Sequence, residues 1–332
     1  MKLRESRRRR LVVAVKCVLA AVIIGWLVYQ LRGQRLFTRL VHEPKRWDAL
    51  LFAQLFLVSA FCNNMLRWFV LVRTLGLRFK LADAFRLGSL GFLMNQVAPG
   101  SVGGDLVKAA FLAREQPGSR PEAVATIVVD RVVGVYAMLL VASGGAWVAG
   151  VFAQQDGTLP KLAWTAGLCA AVGTCGLVAF FALPVATETV QRIVGRVPWV
   201  GSTLARLVSA SGAYRDQPVR LVAAIGLSAI SHTLLILAFW LLARGLPVQP
   251  LSLSQMAFAA PMALVAGSIP LTPSGLGTFE ATLNHLFVAT GGAEGDGFLV
   301  ALAYRVATYA ASALAATYYL ASRRRLDEVR PR

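Results

Sequence analysis

Long apolar intervals alternate with short polar and basic ones along almost the whole chain. Six intervals, 11–31, 48–72, 123–152, 161–184, 219–243 and 298–321, approach or exceed the roughly 20 residues an α-helix needs to cross a bilayer core. Two further apolar regions, 84–113 and 254–290, are interrupted by Gly and Pro near their centres. The pattern predicts an all-α polytopic membrane protein with six full transmembrane helices and two re-entrant or broken hairpins. If the second hairpin crosses fully, the count becomes eight spans with the same end positions. The domain plan is a basic N-terminus at 1–10, a single transmembrane unit at 11–321 and a basic tail at 322–332.

Composition agrees with the pattern. The 332 residues are 57% hydrophobic and 15% charged, where soluble domains carry about a quarter charged residues. The segment 11–31 is too long for the apolar core of a signal peptide, and no small-x-small cleavage site follows it. It is expected to be an uncleaved first span.

The net charge of +18 invites a nucleic-acid reading. Its placement excludes that. Lys and Arg gather at Lys2–Arg10, Arg73–Arg86, Arg192–Arg220 and Arg323–Arg332, between or outside the apolar runs. By the positive-inside bias these are cytoplasmic loops of an inner-membrane protein with both termini inside. That assignment requires 84–113 to enter and leave on the cytoplasmic side and 254–290 to start and finish outside. The loop 291–297, with acids and no Lys or Arg, fits the outer side. One loop disagrees: Arg32, Arg35, Arg39, Lys45 and Arg46 fall outside. Residues 34–46 place Leu36, Phe37, Leu40 and Val41 at helical spacing, as in a surface amphipathic helix.

The two broken regions resemble each other. One reads Pro99-Gly-Ser-Val-Gly-Gly-Asp105 and the other Pro273-Ser-Gly-Leu-Gly-Thr-Phe-Glu280. Paired interrupted segments in two halves point to a transporter site between inverted repeats; short Gly/Pro strings also match by chance. Non-helical backbone at membrane depth survives only inside protein or beside a wet cavity. Helices restarting after Pro273 and after Gly104 are expected to expose N–H groups suited to an anion, with Lys108 adding a cation at the one after Gly104.

Ionisable residues also lie within the apolar runs: Arg67, Asp130, Arg131, Glu280 and Arg305. Intramembrane charges face the bundle interior, pair, or line a pathway. Arg67 and Arg131 could equally snorkel to the interface, and Asp130-Arg131 could be a polar patch at the cytoplasmic edge. Glu280 and Arg305 lie deeper and are expected to pair or jointly line a polar cavity. Asn63, Asn64, Asn95 and Gln96 read as hydrogen-bonding glue between helices.

Catalytic patterns are scarce. The stretch APGSVGGD lacks the Gly-Lys-Ser/Thr ending of a phosphate-binding loop, and GLGTFE lacks a βαβ context. The cysteines Cys17, Cys62, Cys169 and Cys175 read as small buried hydrophobes. His42, His232 and His285 are isolated, so neither a metal site nor a cofactor is expected.

The blocks NQVAPGSVGGDLVKAAFL (95–112), VVDRVVGVYAML (128–139) and IPLTPSGLGTFEATL (269–283) resemble the signature blocks of the lysylphosphatidylglycerol synthase transmembrane, or flippase-like, family. The matching positions are Asn95, Pro99, Gly103, Gly104, Asp105, Asp130, Arg131, Pro270, Pro273, Gly275, Gly277 and Glu280. Ser274 stands where the family usually has Gly, and Asp130 where Glu is commoner. The resemblance covers about 11–321 and implies a membrane domain that moves lipid between leaflets. In the aminoacyl-lipid synthases a separate soluble domain performs the transfer. The resemblance thus implies a stand-alone membrane half here, not an enzyme. Together, motifs and resemblance give a candidate path at Asn95, Pro99, Gly103, Gly104, Asp105, Lys108, Asp130, Arg131, Pro270, Pro273, Ser274, Gly275, Gly277, Glu280 and Arg305. The expected partners are membrane lipids and lipid-synthesis enzymes. Two other readings stay open: a membrane-embedded lipid-modifying transferase, with Asp105 or Glu280 as base, and a non-transporting subunit of a lipid-synthesis complex.

Overall fold

In the computed structural model, the residues described are 36–97, 103–116, 118–182, 184–196, 212–269, 272 and 274–329, with 25, 205, 208 and 209 as isolated positions. Apart from Gly25, the expected first span at 11–31 lies outside them, as do the positions Pro99, Pro270 and Pro273. The described residues form eleven α-helices, one short 3-10 turn and no strand. In order they are α1 Leu36–His42, α2 Trp47–Thr74, α3 Leu81–Val97, α4 Gly103–Glu115, α5 Arg120–Val148 and α6 Thr158–Ala182. They continue as α7 Pro184–Gly195, α8 Pro218–Gly245, α9 Leu253–Ser268, α10 Thr278–Ala289 and α11 Asp296–Val329.

Five helices, α2, α5, α6, α8 and α11, are long and apolar enough to cross a membrane. Exposed Leu51, Phe52 and Leu55 on α2, and Leu168, Val172 and Val178 on α6, would be costly in water and suit lipid contact. The chain is a multi-pass membrane protein. The interrupted regions behave differently. α3 and α4 have 17 and 13 residues, and α9 and α10 have 16 and 12. Each is shorter than the roughly 20 residues of a full crossing. Within each region the two short helices pack on one another.

The centre of the bundle is the antiparallel pair of α2 and α8. Arg46 N donates to Gly245 O at one end, Asn63 Nδ2 to Leu227 O and Ser231 Oγ midway, and Arg67 Nη1 to Ser228 Oγ further on. Past α7, the chain re-enters through Tyr214, which is buried and donates to Leu71 O at 3.0 Å. Helix α9 starts with a capping box, in which Ser252 Oγ accepts from Gln255 N and Gln255 Oε1 accepts from Ser252 N. It then crosses α5 at Gly145, against Ala257. One apolar core, including Phe239, Phe258, Phe279 and Phe287, joins α8, α9 and α10; a second forms around Trp68, Leu112 and Ile127.

The two ends of the bundle differ. Exposed Trp47, Trp147 and Trp164 sit at the start of α2, the end of α5 and the start of α6. Such rings favour a membrane–water interface. Arg73, Arg78, Lys80, Arg86, Arg114, Arg120 and Arg220 occupy the opposite helix ends. The basic loop that disagreed with this division is partly neutralised. Arg39 on α1 pairs with Glu43 at 3.5 Å and with buried Asp296 at 3.3 Å, and also donates to Pro247 O. Arg46 pairs with Asp48 at 2.9 Å. The amphipathic helix expected over 34–46 is therefore a strap bound to the start of α11, with Leu40 packed against Phe298 and Leu299. Helix α7 was not foreseen within the basic stretch 185–220; it leaves Val190 and Ile193 exposed.

Adjacent glycines on α5 test the packing. A Cβ on Gly145 would lie 2.8 Å from Ala257 C and 3.0 Å from Phe258 N, whereas one on Gly144 meets nothing within 4 Å. Gly145→Ala should lower stability by about 1–3 kcal/mol. Gly144→Ala should be neutral or slightly stabilising, by up to about 1 kcal/mol. Thermal unfolding in detergent checks the contrast.

Candidate functional site

The first break lies between α3 and α4. Gly104 faces Gly91 so closely that a Cβ on it would fall 1.9 Å from Gly91 O. Only glycine permits this approach. It brings Gly103 and Gly104 of α4 beside the end of α3, where Asn95 Oδ1 accepts the Gly104 N–H at 2.7 Å. The next residue, buried Asp105, takes Lys108 at 3.4 Å and the Arg131 guanidinium of α5. The Lys108 ammonium also stands 4.7 Å from the centroid of the Trp68 ring.

Behind this cluster Arg67 Nε donates to Asp130 Oδ1 at 2.8 Å, and both side chains are buried. The guanidinium passes over Gly134, whose carbonyl is 2.9 Å from His232 Nε2. Arg67 is therefore turned into the bundle and paired with Asp130 rather than reaching outward. The physical reason is that a buried carboxylate needs a partner, and α2 supplies one across α5 and α8. Arg131 is the outward member, with 43% of its side chain exposed, yet it too bends to Asp105. The cluster holds three cations (Arg67, Lys108, Arg131) and two carboxylates (Asp105, Asp130), a balance of plus one.

The second break precedes α10. Ser274, Gly275 and Gly277 all have positive φ, at 52°, 67° and 84°. Glycine tolerates this region, whereas a left-handed conformation costs an L-residue about 1–2 kcal/mol. Ser274 is the non-glycine residue with positive φ among those described, at the position where the resemblance expects Gly. Gly275 is doubly constrained, because a Cβ there would lie 2.2 Å from Gly267 O.

The expected pair is present. Arg305 Nε donates to Glu280 Oε1 at 2.7 Å, while Arg305 Nη1 donates to Ser274 O at 2.9 Å. Glu280 Oε2 in turn accepts the Gly277 N–H at 2.7 Å. One ion pair thus ties α11 to α10 and fixes the turn. Phe279 supports the guanidinium from 5.3 Å and packs on Phe239 and Tyr304.

Free N–H groups at the two restarts were expected to await an anion. At Gly104 and Gly277 that expectation is corrected, because Asn95 and Glu280 occupy these donors. An uncapped N–H in a low-dielectric interior costs more than a cap does. Asn63 and Gln96 do act between helices, Gln96 reaching Ser312 Oγ at 3.1 Å. Asn95 does so too, from α3 to Gly104 of α4, and its backbone carbonyl also accepts Ser274 Oγ at 3.3 Å. The two breaks therefore touch, a juxtaposition that spacing alone did not reveal. Among the described residues no three His, Cys, Asp or Glu side chains gather as metal ligands.

The model of the Lysylphosphatidylglycerol synthase TM region family matches residues 13–316. The chain belongs to that family. No curated protein matches it. Within this lysylphosphatidylglycerol synthase TM region the matched span contains both breaks and both ion-paired centres.

Arg67→Ala should cost about 3–5 kcal/mol, because it leaves Asp130 buried and unpaired. Arg67→Met with Asp130→Leu should recover most of that loss, read as thermal stability. At the second break the two partners are not interchangeable, since Glu280 also caps Gly277 and Arg305 also holds Ser274 O. Glu280→Gln, which keeps an acceptor, should be milder than Glu280→Ala. Swapping the two charges should rescue only part of either single loss, and full rescue would show that the caps contribute nothing.

Proposed function

We propose that this membrane domain moves a polar or anionic lipid between leaflets, passing the headgroup between the two breaks. The observation that carries the reading is the meeting of the breaks at Asn95 and Ser274, with an ion-paired centre on either side. Polar groups at membrane depth are retained where they face a pathway. Here they converge from α3, α4, α5, α10 and α11. In this reading the α3–α4 and α9–α10 hairpins are re-entrant from opposite sides, consistent with their short helices. The basic helix ends face the cytoplasm of a bacterial cell, the tryptophans face outward, and lipid-synthesis enzymes are the natural suppliers of substrate.

The transferase reading is weaker. Asp105 is held by Lys108 and Arg131, and Glu280 by Arg305 and the Gly277 N–H. Carboxylates whose oxygens already accept from these donors are not placed to take a proton from a substrate. We therefore take the domain to be a transporter rather than an enzyme.

Reconstitution in liposomes with headgroup-labelled lipids tests the proposal. Exchange between leaflets should exceed that of protein-free vesicles for at least one anionic or zwitterionic lipid. Arg305→Ala and Asp105→Asn should each slow it at least tenfold. Rates equal to protein-free vesicles across all the lipids would refute the transport reading.

A further inference from the structure

The contact between the breaks differs from those around it. Gly104 to Asn95, Gly277 to Glu280 and Arg305 to Glu280 are each 2.7 Å, and Arg305 to Ser274 O is 2.9 Å. Ser274 Oγ to Asn95 O is 3.3 Å. The shorter bonds use a charged group or a helix-terminal N–H, which strengthens them. The longer one uses a neutral hydroxyl and the carbonyl of a residue in the last turn of α3. It is the weakest polar link described between the two centres.

Helix α11 holds both sides of this link. Arg305 grips the Ser274 carbonyl, and Ser312 accepts from Gln96, the neighbour of Asn95. The Ser274–Asn95 contact closes a triangle whose other two sides run through α11. Opening that side breaks no cap and neither ion pair.

Two further observations favour opening. Ser274 is held at a φ of 52°, a conformation an L-residue adopts at a cost. Two residues earlier, Thr272 is wholly buried, and its hydroxyl has no hydrogen-bond partner among the described residues. An unmet hydroxyl in an apolar interior is a penalty that a water or a polar ligand reaching it would relieve.

We propose that the Ser274–Asn95 contact is a latch between the breaks, and that its release admits water or a lipid headgroup to the Thr272 hydroxyl. This rests on the headgroup-path reading for its purpose, though its test does not. Thr272 would then be the first polar group of the second break that an entering headgroup meets.

The experiment uses full-length protein with Cys17, Cys62, Cys169 and Cys175 replaced by Ala and Thr272 by Cys. Thr272→Cys gives up no hydrogen bond. Labelling by a water-soluble maleimide is followed in proteoliposomes, with Ser274 intact and with Ser274→Ala or Ser274→Gly. The intact latch should label slowly, and both variants several-fold faster with no fall in melting temperature. Equal rates in all three proteins would overturn the latch. Hydrogen–deuterium exchange over 272–280, in protein retaining Thr272, gives a second readout with the same expected order and the same overturning result. Leaflet exchange is measured in the same vesicles. Faster labelling without lipid exchange keeps the latch and removes the transport reading. Lipid exchange with unchanged labelling does the reverse.

Discussion

A peptide group inside a bilayer has no water to turn to, and the architecture around the two breaks follows from that constraint. Each interruption frees backbone groups that the chain must satisfy itself. The first is met by Asn95, whose side chain takes the Gly104 N–H. The second is met by Glu280 on Gly277 and by Arg305 on the Ser274 carbonyl. Side chains that look like a charged pathway are, in the same geometry, what lets the backbone leave the helix at all. The same atoms therefore serve the backbone and carry the charge.

Burial decides how the charges are arranged. Asp130 and Arg67 are both removed from solvent, and neither is tolerable alone. Asp105 is buried as well but shares its cations with a surface-reaching Arg131. The inner pair is thus a buried strut joining α2, α5 and α8, whereas the outer set reaches the surface through Arg131. Glu280 and Arg305 repeat the strut at the second break, with the backbone as third party.

Much of this was legible in the sequence. The long spans of α2, α5, α6, α8 and α11 follow from apolar length, and both interruptions follow from Gly and Pro. Glu280 and Arg305 declared themselves by lying deep in otherwise apolar runs. The Arg67–Asp130 pair was harder, since 63 positions separate its members and each had an interfacial explanation. The double service of Asn95 was invisible, because one half of it belongs to a backbone carbonyl that no residue type announces. The caps at Gly104 and Gly277 were missed for a related reason. An exposed helix end and a capped one share the same Gly-rich signature, and only placement distinguishes them. The docking of α1 also escaped, because Asp296 lies 257 positions from Arg39.

Gly91 and Gly104 bring two backbones together without any side chain between them. Such a contact cannot be tuned gradually. A larger residue at either position cannot be accommodated by trimming the other, since both are already at the minimum. This separation is therefore a ruler built into the hairpin, fixing the height at which Asp105 is held whatever changes in the side chains around it.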